Sequence, residues 1–434
     1  VNKLARSWSP KWLRNDFLRH VATLLVGTTA AQALLLLLTP VLSRLYSPQD
    51  YGLFSIYSSI VSTLAVVAAL RYDMAIMLPD QDADAKVLKR GATRLILLVC
   101  LIATVVCGIA APMIASAVGD PSLAPWLFLI GLSTFTLAEI SALTYWLNRK
   151  SEYRAIGVNR VLQSGGTAVA QLGLALAKLG GITGLIIGAL LGQTAAWLTL
   201  RHKAREVRSG LEESNTSLRK LLRRYRRMPL LNGPNVLVDA VRVNGINIMI
   251  GIVYSGSLLG QFYMAWRVLQ VPLGLINGAL AQVFFQKLSV TERGSMFRFA
   301  KASILRSAAL GVVPFLIIYF LSPWIFPVVL GAQWGDAGYI AQALVPWLYM
   351  SLITSPISTV FVVTETQHYM LIHSIFYAGV PLALLYFLKG DIVSNLSIVA
   401  WAMALILVIF AALALWVSTR YDKELQPKPE APSN

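Results

Sequence analysis

Charge is what this chain has least of. Only 13% of its 434 residues are Asp, Glu, Lys or Arg, whereas 56% are hydrophobic. A soluble domain carries about 25% charged residues, so a soluble globular fold is excluded. Acids are the scarcer sign: 20 stand against 37 Lys and Arg, for a formal net charge of +17. The two cysteines, Cys100 and Cys107, share one apolar run and indicate neither a disulfide framework nor a metal site. The histidines, His20, His202, His368 and His373, are scattered. There is no metal-spaced cluster, no nucleophile elbow and no Walker-type glycine loop, so no enzyme chemistry, bound cofactor or ATP drive is indicated. No soluble basic module is present to make nucleic acid a partner.

What the chain has is apolar length. Many uncharged runs, 95–118 among them, reach the roughly 20 residues a spanning helix needs. The expected fold is an all-α membrane protein of about twelve transmembrane helices in two six-helix bundles around a central cavity. The spans read as about 21–43, 51–78, 94–118, 123–147, 155–177, 181–200, 232–254, 257–286, 300–322, 338–363, 368–388 and 396–418. The N-terminus is polar and basic, and the first apolar run is long enough to stay as a span, so no cleavable signal is read there.

Basic residues collect in alternate loops: at the N-terminus, around Lys86–Arg90, at Arg149 and Lys150, through 201–231, at Lys287–Arg298, and in the tail. The other loops hold little beyond Arg44, Lys178 and Lys389, and the tenth has only Glu365. The positive-inside rule then places both termini in the cytoplasm of a multi-pass plasma-membrane protein. The expected organisation is an N-terminal bundle (1–200), a basic cytoplasmic linker (201–231), a C-terminal bundle (232–420) and a tail (421–434). Within the linker, Leu211–Tyr225 reads either as a basic amphipathic helix on the inner leaflet or as a solvated connection.

An internal repeat supports two halves. Leu45-Tyr46-Ser47, then Gly52 and Phe54, recurs at constant spacing as Val253-Tyr254-Ser255, then Gly260 and Phe262. Six spans per half would make the halves enter the membrane in the same direction. Pro272, Pro314, Pro346, Pro356 and Pro381 fall inside spans, where proline kinks a helix. Gly184, Gly188 and Gly192 make a smooth face for close helix packing.

Five arginines interrupt apolar stretches: Arg71, Arg160, Arg242, Arg267 and Arg306. Arginine at membrane depth is costly and faces a cavity or a partner. A cavity holding all five would suit phosphate or pyrophosphate, because the guanidinium fork binds their oxygens bidentately. Arg71, Arg160 and Arg306 can instead snorkel to the cytoplasmic interface. Asp239, three residues before Arg242, can pair with it on one helix face. Arg267 is deep and has no acid nearby in sequence. Glu139 and Asp73 are candidate sites for a coupling proton or sodium ion, or for a bridge to an arginine on another helix.

The chain resembles the Wzx-type flippases of the polysaccharide-transporter family, within the multidrug/oligosaccharidyl-lipid/polysaccharide exporter superfamily. Three segments carry the resemblance: Thr39–Phe54; Leu70–Ile76 with the acidic 80–84 loop; and the stretch from Tyr225 and Pro229 through Gly260, Tyr263, Arg267, Pro272 and Gly274 to Gln282-Val283-Phe284-Phe285. The third is also similar to the eighth span of the lipid II flippases, where the matching arginine lines a cationic cavity. The basic first-span face of those proteins is not reproduced: Leu34–Leu38 occupies that region. The resemblance implies a cargo, oligosaccharide repeat units of O-antigen or exopolysaccharide on undecaprenyl pyrophosphate. They would move from the inner to the outer leaflet of a bacterial plasma membrane by alternating access. It implies Arg267 as the pyrophosphate contact, membrane lipids as surroundings, and a polysaccharide polymerase and chain-length regulator as partners. Tyr145, Trp146 and Trp266 could stack on sugar rings, or anchor at the interface.

Two rivals come from other classes. An ion-coupled exporter of cationic small molecules would want acids in excess, whereas the five arginines face three acids, Asp73, Glu139 and Asp239. A glycan polymerase or ligase would want a substantial outer loop, and every outer loop here is short.

Overall fold

Lipid offers no partner to a backbone N–H or C=O, so long apolar runs must satisfy themselves as helices. The computed structural model describes residues 10–207, 216–289, 294–364 and 366–424; side chains at 10–25, at 278–289 and at a few single positions are outside that description. Glu365, Arg208, residues 211–215 of the linker and residues 425–434 of the tail also lie outside the described residues.

The helices are α1 (Pro10–Leu45), α2 (Pro48–Ala68), α3 (Tyr72–Ala75), α4 (Asp82–Val118), α5 (Ile130–Arg149), α6 (Tyr153–Leu176), α7 (Gly181–Lys203), α8 (Leu218–Arg224), α9 (Gly233–Val253), α10 (Gly256–Ser289), α11 (Met296–Leu330), α12 (Gly335–Thr354), α13 (Val360–Val363), α14 (Gln367–Phe387) and α15 (Ile392–Glu424). The twelve long ones match the twelve expected spans one for one. Among the described residues, eight helices are long and apolar enough to cross a membrane by length and composition alone. This is a multi-pass membrane protein. Its lipid-facing surface shows in α4, where Leu97, Leu98, Leu101, Ile102, Val105 and Ile109 are exposed.

Several boundaries differ from the expected ones. The second span ends at Ala68, not 78, because Leu70 and Arg71 take left-handed backbone (φ 47° and 61°) and turn the chain into α3. That conformation is unfavourable for residues with a Cβ. The third span starts at Asp82, twelve residues before the expected edge, so Lys86, Lys89 and Arg90 are helical rather than loop residues. The fourth opens as a 3₁₀ turn, Pro121–Leu129. The tenth breaks after Thr354 into a 3₁₀ turn at Pro356–Thr359 and short α13. Pro356 has no N–H to continue the α-helical ladder.

The chain forms two compact units: residues 1–46 with 56–237, and residues 47–55 with 238–434. In the first, α6 packs on α1 and α7, and α5 on α4 and α7. Gly192 lies so close to Thr167 of α6 that a Cβ would collide with it, so the glycine face of α7 is spent on packing. In the second, α12 packs against α10, α11 and α15 and is buried along most of its length.

The repeat positions have matching roles. Ser47 and Asp50 bond reciprocally at the start of α2: Asp50 accepts from the Ser47 N–H (2.9 Å) and hydroxyl (2.7 Å), while Ser47 Oγ accepts from the Asp50 N–H (3.2 Å). Ser255 Oγ accepts from the Leu258 N–H (3.2 Å) at the start of α10. Both serines act as helix N-caps. Within the second unit, Cβ atoms on Gly52 and Gly260 would strike the carbonyl oxygens of Gly256 and Pro48, so the two repeat glycines let these helix starts cross closely.

The linker departs from both expected forms. Leu221 of α8 is fully buried with Tyr72, Ala75, Leu88 and Ala92, Leu222 packs on the same cluster, and Tyr72 Oη donates to the Leu222 carbonyl (3.0 Å). The apolar side of this helix is therefore taken up by protein, not by a leaflet. Its basic residues, Arg219, Lys220, Arg223 and Arg224, are exposed.

Candidate functional site

Residues four apart on a helix share a face, and in the second unit two such pairs, Phe262 with Trp266 and His373 with Tyr377, build a run of rings with Trp347 and Phe410. Phe262 stacks on Trp266 of α10 (5.8 Å between centroids). Trp266 meets Trp347 of α12 (5.1 Å), and Trp347 meets Tyr377 of α14 (6.2 Å) while donating its indole N–H to the Tyr377 oxygen (2.6 Å). His373 stacks on Tyr377 (5.2 Å) and contacts Phe410 of α15 (4.2 Å). The His373 Nε2 is buried without a hydrogen-bond partner among the described residues.

One of the five arginines, Arg242, joins this run. Arg242 of α9 places its guanidinium carbon 5.0 Å from the Tyr377 ring centre and donates to Asp239 (2.6 and 3.1 Å). A cation over a ring face is attracted by the ring quadrupole. Arg267 follows Trp266 on α10. It is half-buried and has no ion pair, hydrogen bond or ring contact among the described residues. Its donors are thus free for a ligand. Arg306 is not brought to the rings by any contact; it is exposed on α11 beside exposed Leu305.

The first unit holds the other sequence candidates. Arg160 is exposed on α6 and donates to the Thr28 hydroxyl of α1. Arg71 caps the break before α3 and donates to the Met74 sulfur, while its Nε is buried with no hydrogen-bond partner among the described residues. Asp73 accepts from Ser141 of α5 (3.1 Å), and its Oδ1 is buried without a partner among the described residues. Glu139 is not open: Lys89 donates to its Oε2 (2.9 Å) and Thr93 to its Oε1 (2.7 Å). Both side chains of that ion pair are under a tenth exposed.

Sequence reading missed Lys89 by assigning it to a loop. The signal was present: Ala85, Leu88, Lys89, Ala92 and Ile96 recur at steps of three and four, the stripe of a buried helix face. Trp146 is fully buried in the core and cannot stack on a sugar, whereas Tyr145 and Trp266 are half-buried.

Residues 41–338 match the family described as polysaccharide biosynthesis protein. The chain belongs to the polysaccharide biosynthesis protein family. No curated protein matches it in sequence. Among solved structures it is similar to an inward-facing multidrug resistance transporter of the MATE family and MOP superfamily, with TM-score 0.69 and 14% identity over 93% of this chain and 96% of that one. A MATE transporter in a bent conformation gives TM-score 0.59 at 16% identity over 95% and 97%. A MOP superfamily transporter from Pyrococcus furiosus, for which reverse polarity of the binding pocket suggests a different function, gives 0.55 at 16% over 93% and 95%. At such identities the likeness fixes the fold, which is that of MOP-superfamily transporters. The family places this membrane protein in polysaccharide biosynthesis, and the solved structures add its fold.

Proposed function

We propose that this family member flips oligosaccharide repeat units carried on undecaprenyl pyrophosphate from the inner to the outer leaflet of a bacterial plasma membrane, by alternating access. The observation that carries the reading is Arg267: a half-buried guanidinium on a long apolar helix, with no ion pair or hydrogen bond among the described residues, next in sequence to half-buried Trp266. A guanidinium with free donors suits pyrophosphate, and flat apolar rings suit sugar faces. A cationic drug would be repelled by Arg267. The fold itself carries no such preference, since one of its solved members is described as having a pocket of reversed polarity.

Gradient coupling, in this reading, falls on Asp73 rather than Glu139. Glu139 has both oxygens engaged, whereas Asp73 Oδ1 is buried with no hydrogen-bond partner among the described residues, the setting in which a membrane carboxylate takes up a proton or sodium ion.

The test uses a deletion strain complemented with wild type or Arg267→Ala. Lipid-linked oligosaccharide should accumulate and surface polymer be lost, with rescue by wild type only and normal membrane insertion of the variant. Full rescue by correctly inserted Arg267→Ala would remove Arg267 from the pathway. Normal glycans with new sensitivity to cationic compounds would replace the flippase reading by a drug exporter.

A further inference from the structure

The first unit carries a cationic cleft of its own. A cleft of about 380 Å³ opens among α4, α5 and α7, and the charged groups lining it are Lys89, Arg90, Arg94 and Arg201 against one carboxylate, Glu139. Lys89 and Glu139 neutralise each other at the back (2.9 Å). Arg90 donates to the Val207 carbonyl (3.2 Å) and is held at the rim. Arg94 is exposed and has no partner among the described residues. Arg201 rests its guanidinium carbon 4.9 Å over the Trp197 ring and makes no hydrogen bond among the described residues.

The level of these two arginines is fixed by the sequence. Arg94 is the last charge before the uncharged run 95–118, about 36 Å of helix at 1.5 Å per residue. Arg201 is the first charge after the uncharged run 181–200, about 30 Å by the same rise. A bilayer hydrocarbon core is about 30 Å thick. The beginning of α4 and the end of α7 lie together at the cleft, so both guanidiniums sit where hydrocarbon gives way to head groups. Below them the wall is apolar: Leu97, Phe135 and Trp197. Leu97 is 45% exposed and continues into the exposed apolar face of α4.

We propose that this cleft is a binding site for an anionic glycerophospholipid of the surrounding leaflet, whose phosphodiester is held by Arg94 and Arg201 and whose acyl chain lies along Leu97 and Trp197. The charge surplus selects an anion, and the apolar wall directly below selects one that carries a lipid chain. A free phosphate would use the rim and leave that wall empty. The site is independent of the cargo and of Arg267.

The test is native mass spectrometry of the purified full chain in neutral detergent, titrated with phosphatidylglycerol, phosphatidylcholine, undecaprenyl phosphate or inorganic phosphate. Phosphatidylglycerol should bind at least about tenfold more tightly than phosphatidylcholine or inorganic phosphate. Arg94→Gln with Arg201→Gln should remove that preference; Arg94→Gln alone, on an exposed side chain, should weaken phosphatidylglycerol about threefold with an unchanged melting temperature. Equal binding of the two phospholipids, or undiminished phosphatidylglycerol binding by both variants, would overturn the site. Inorganic phosphate binding as tightly as phosphatidylglycerol would overturn its lipid character. Undecaprenyl phosphate displacing phosphatidylglycerol at equal concentration would overturn the glycerophospholipid assignment.

Discussion

In the first unit Lys89 meets Glu139 at the back of the cleft, both side chains under a tenth exposed, and Arg149 and Lys150 both meet Asp82 at the start of α4. Arg149 also donates to the Pro79 carbonyl (2.6 Å), so that one side chain ties down the turn between α3 and α4. Rings hold cations in both units, Lys150 on Trp146 and Arg201 on Trp197 in the first, and Arg242 on Tyr377 and Arg420 on Trp416 in the second. The second unit's ion pair Arg242–Asp239 has its acid 65% exposed. Ion pairs fix geometry tightly and leave little unsatisfied charge, whereas rings hold a cation from one side and leave its N–H groups available. The first pattern suits a braced framework, and the second suits a surface that must exchange ligands.

The comparison breaks most easily at Lys89. Lys89→Met would strand a buried carboxylate, at a cost of about 3–5 kcal/mol, and should lower the melting temperature sharply in detergent. Adding Glu139→Gln should restore most of the loss. A single variant as stable as wild type would mean the pair does not brace the unit. In the second unit, Tyr377→Phe keeps the ring under Arg242 but leaves the Trp347 N–H without its acceptor. That should cost about 1–3 kcal/mol, read by thermal unfolding, with near-UV circular dichroism reporting the altered tryptophan environment.

The repeat offers a matched pair of smaller tests. Tyr46 donates to the Gln171 carbonyl in the first unit, and Tyr254 accepts from Asn395 in the second, each at 2.6 Å. Tyr46→Phe and Tyr254→Phe should each cost about 1 kcal/mol; a large inequality in melting temperature would show that the two positions are not equivalent supports. Least affected should be Asp239→Asn. Its exposed pair is worth under about 1 kcal/mol and is weakened further by salt, so its melting temperature should stay within a few degrees of wild type.

Helix number and the ion pair Arg242–Asp239 were legible in the sequence, because each depends on chain-local spacing. The pair lies three residues apart on one helix, and the twelve apolar runs are set by bilayer thickness. The partner of Glu139 was not legible. Lys89 is fifty positions away, and nothing in its own segment separates a loop lysine from a buried one except the stripe it shares with Leu88 and Ala92. The break at Leu70 and Arg71 was likewise hidden, since neither residue type announces left-handed backbone. Trp146 and Trp266 look alike in sequence, yet packing buries one completely and leaves the other half-open at the ring run.

The sequence by itself determined that this chain is a helical membrane protein, that it carries cations inside apolar runs, and that its two halves repeat a tyrosine-serine pair followed by a glycine and a phenylalanine. Those properties follow from composition and periodicity along one strand of chain. Only the tertiary structure decided which charges are consumed by partners and which stay free. Glu139 is taken by Lys89 and Thr93, the apolar side of α8 is taken by α3 and α4, and Arg94, Arg201 and Arg267 have no hydrogen bond or ion pair among the described residues. Whether a charge is available depends on what distant helices bring within about 3 Å of it, the reach of a hydrogen bond, and that distance is a property of packing alone.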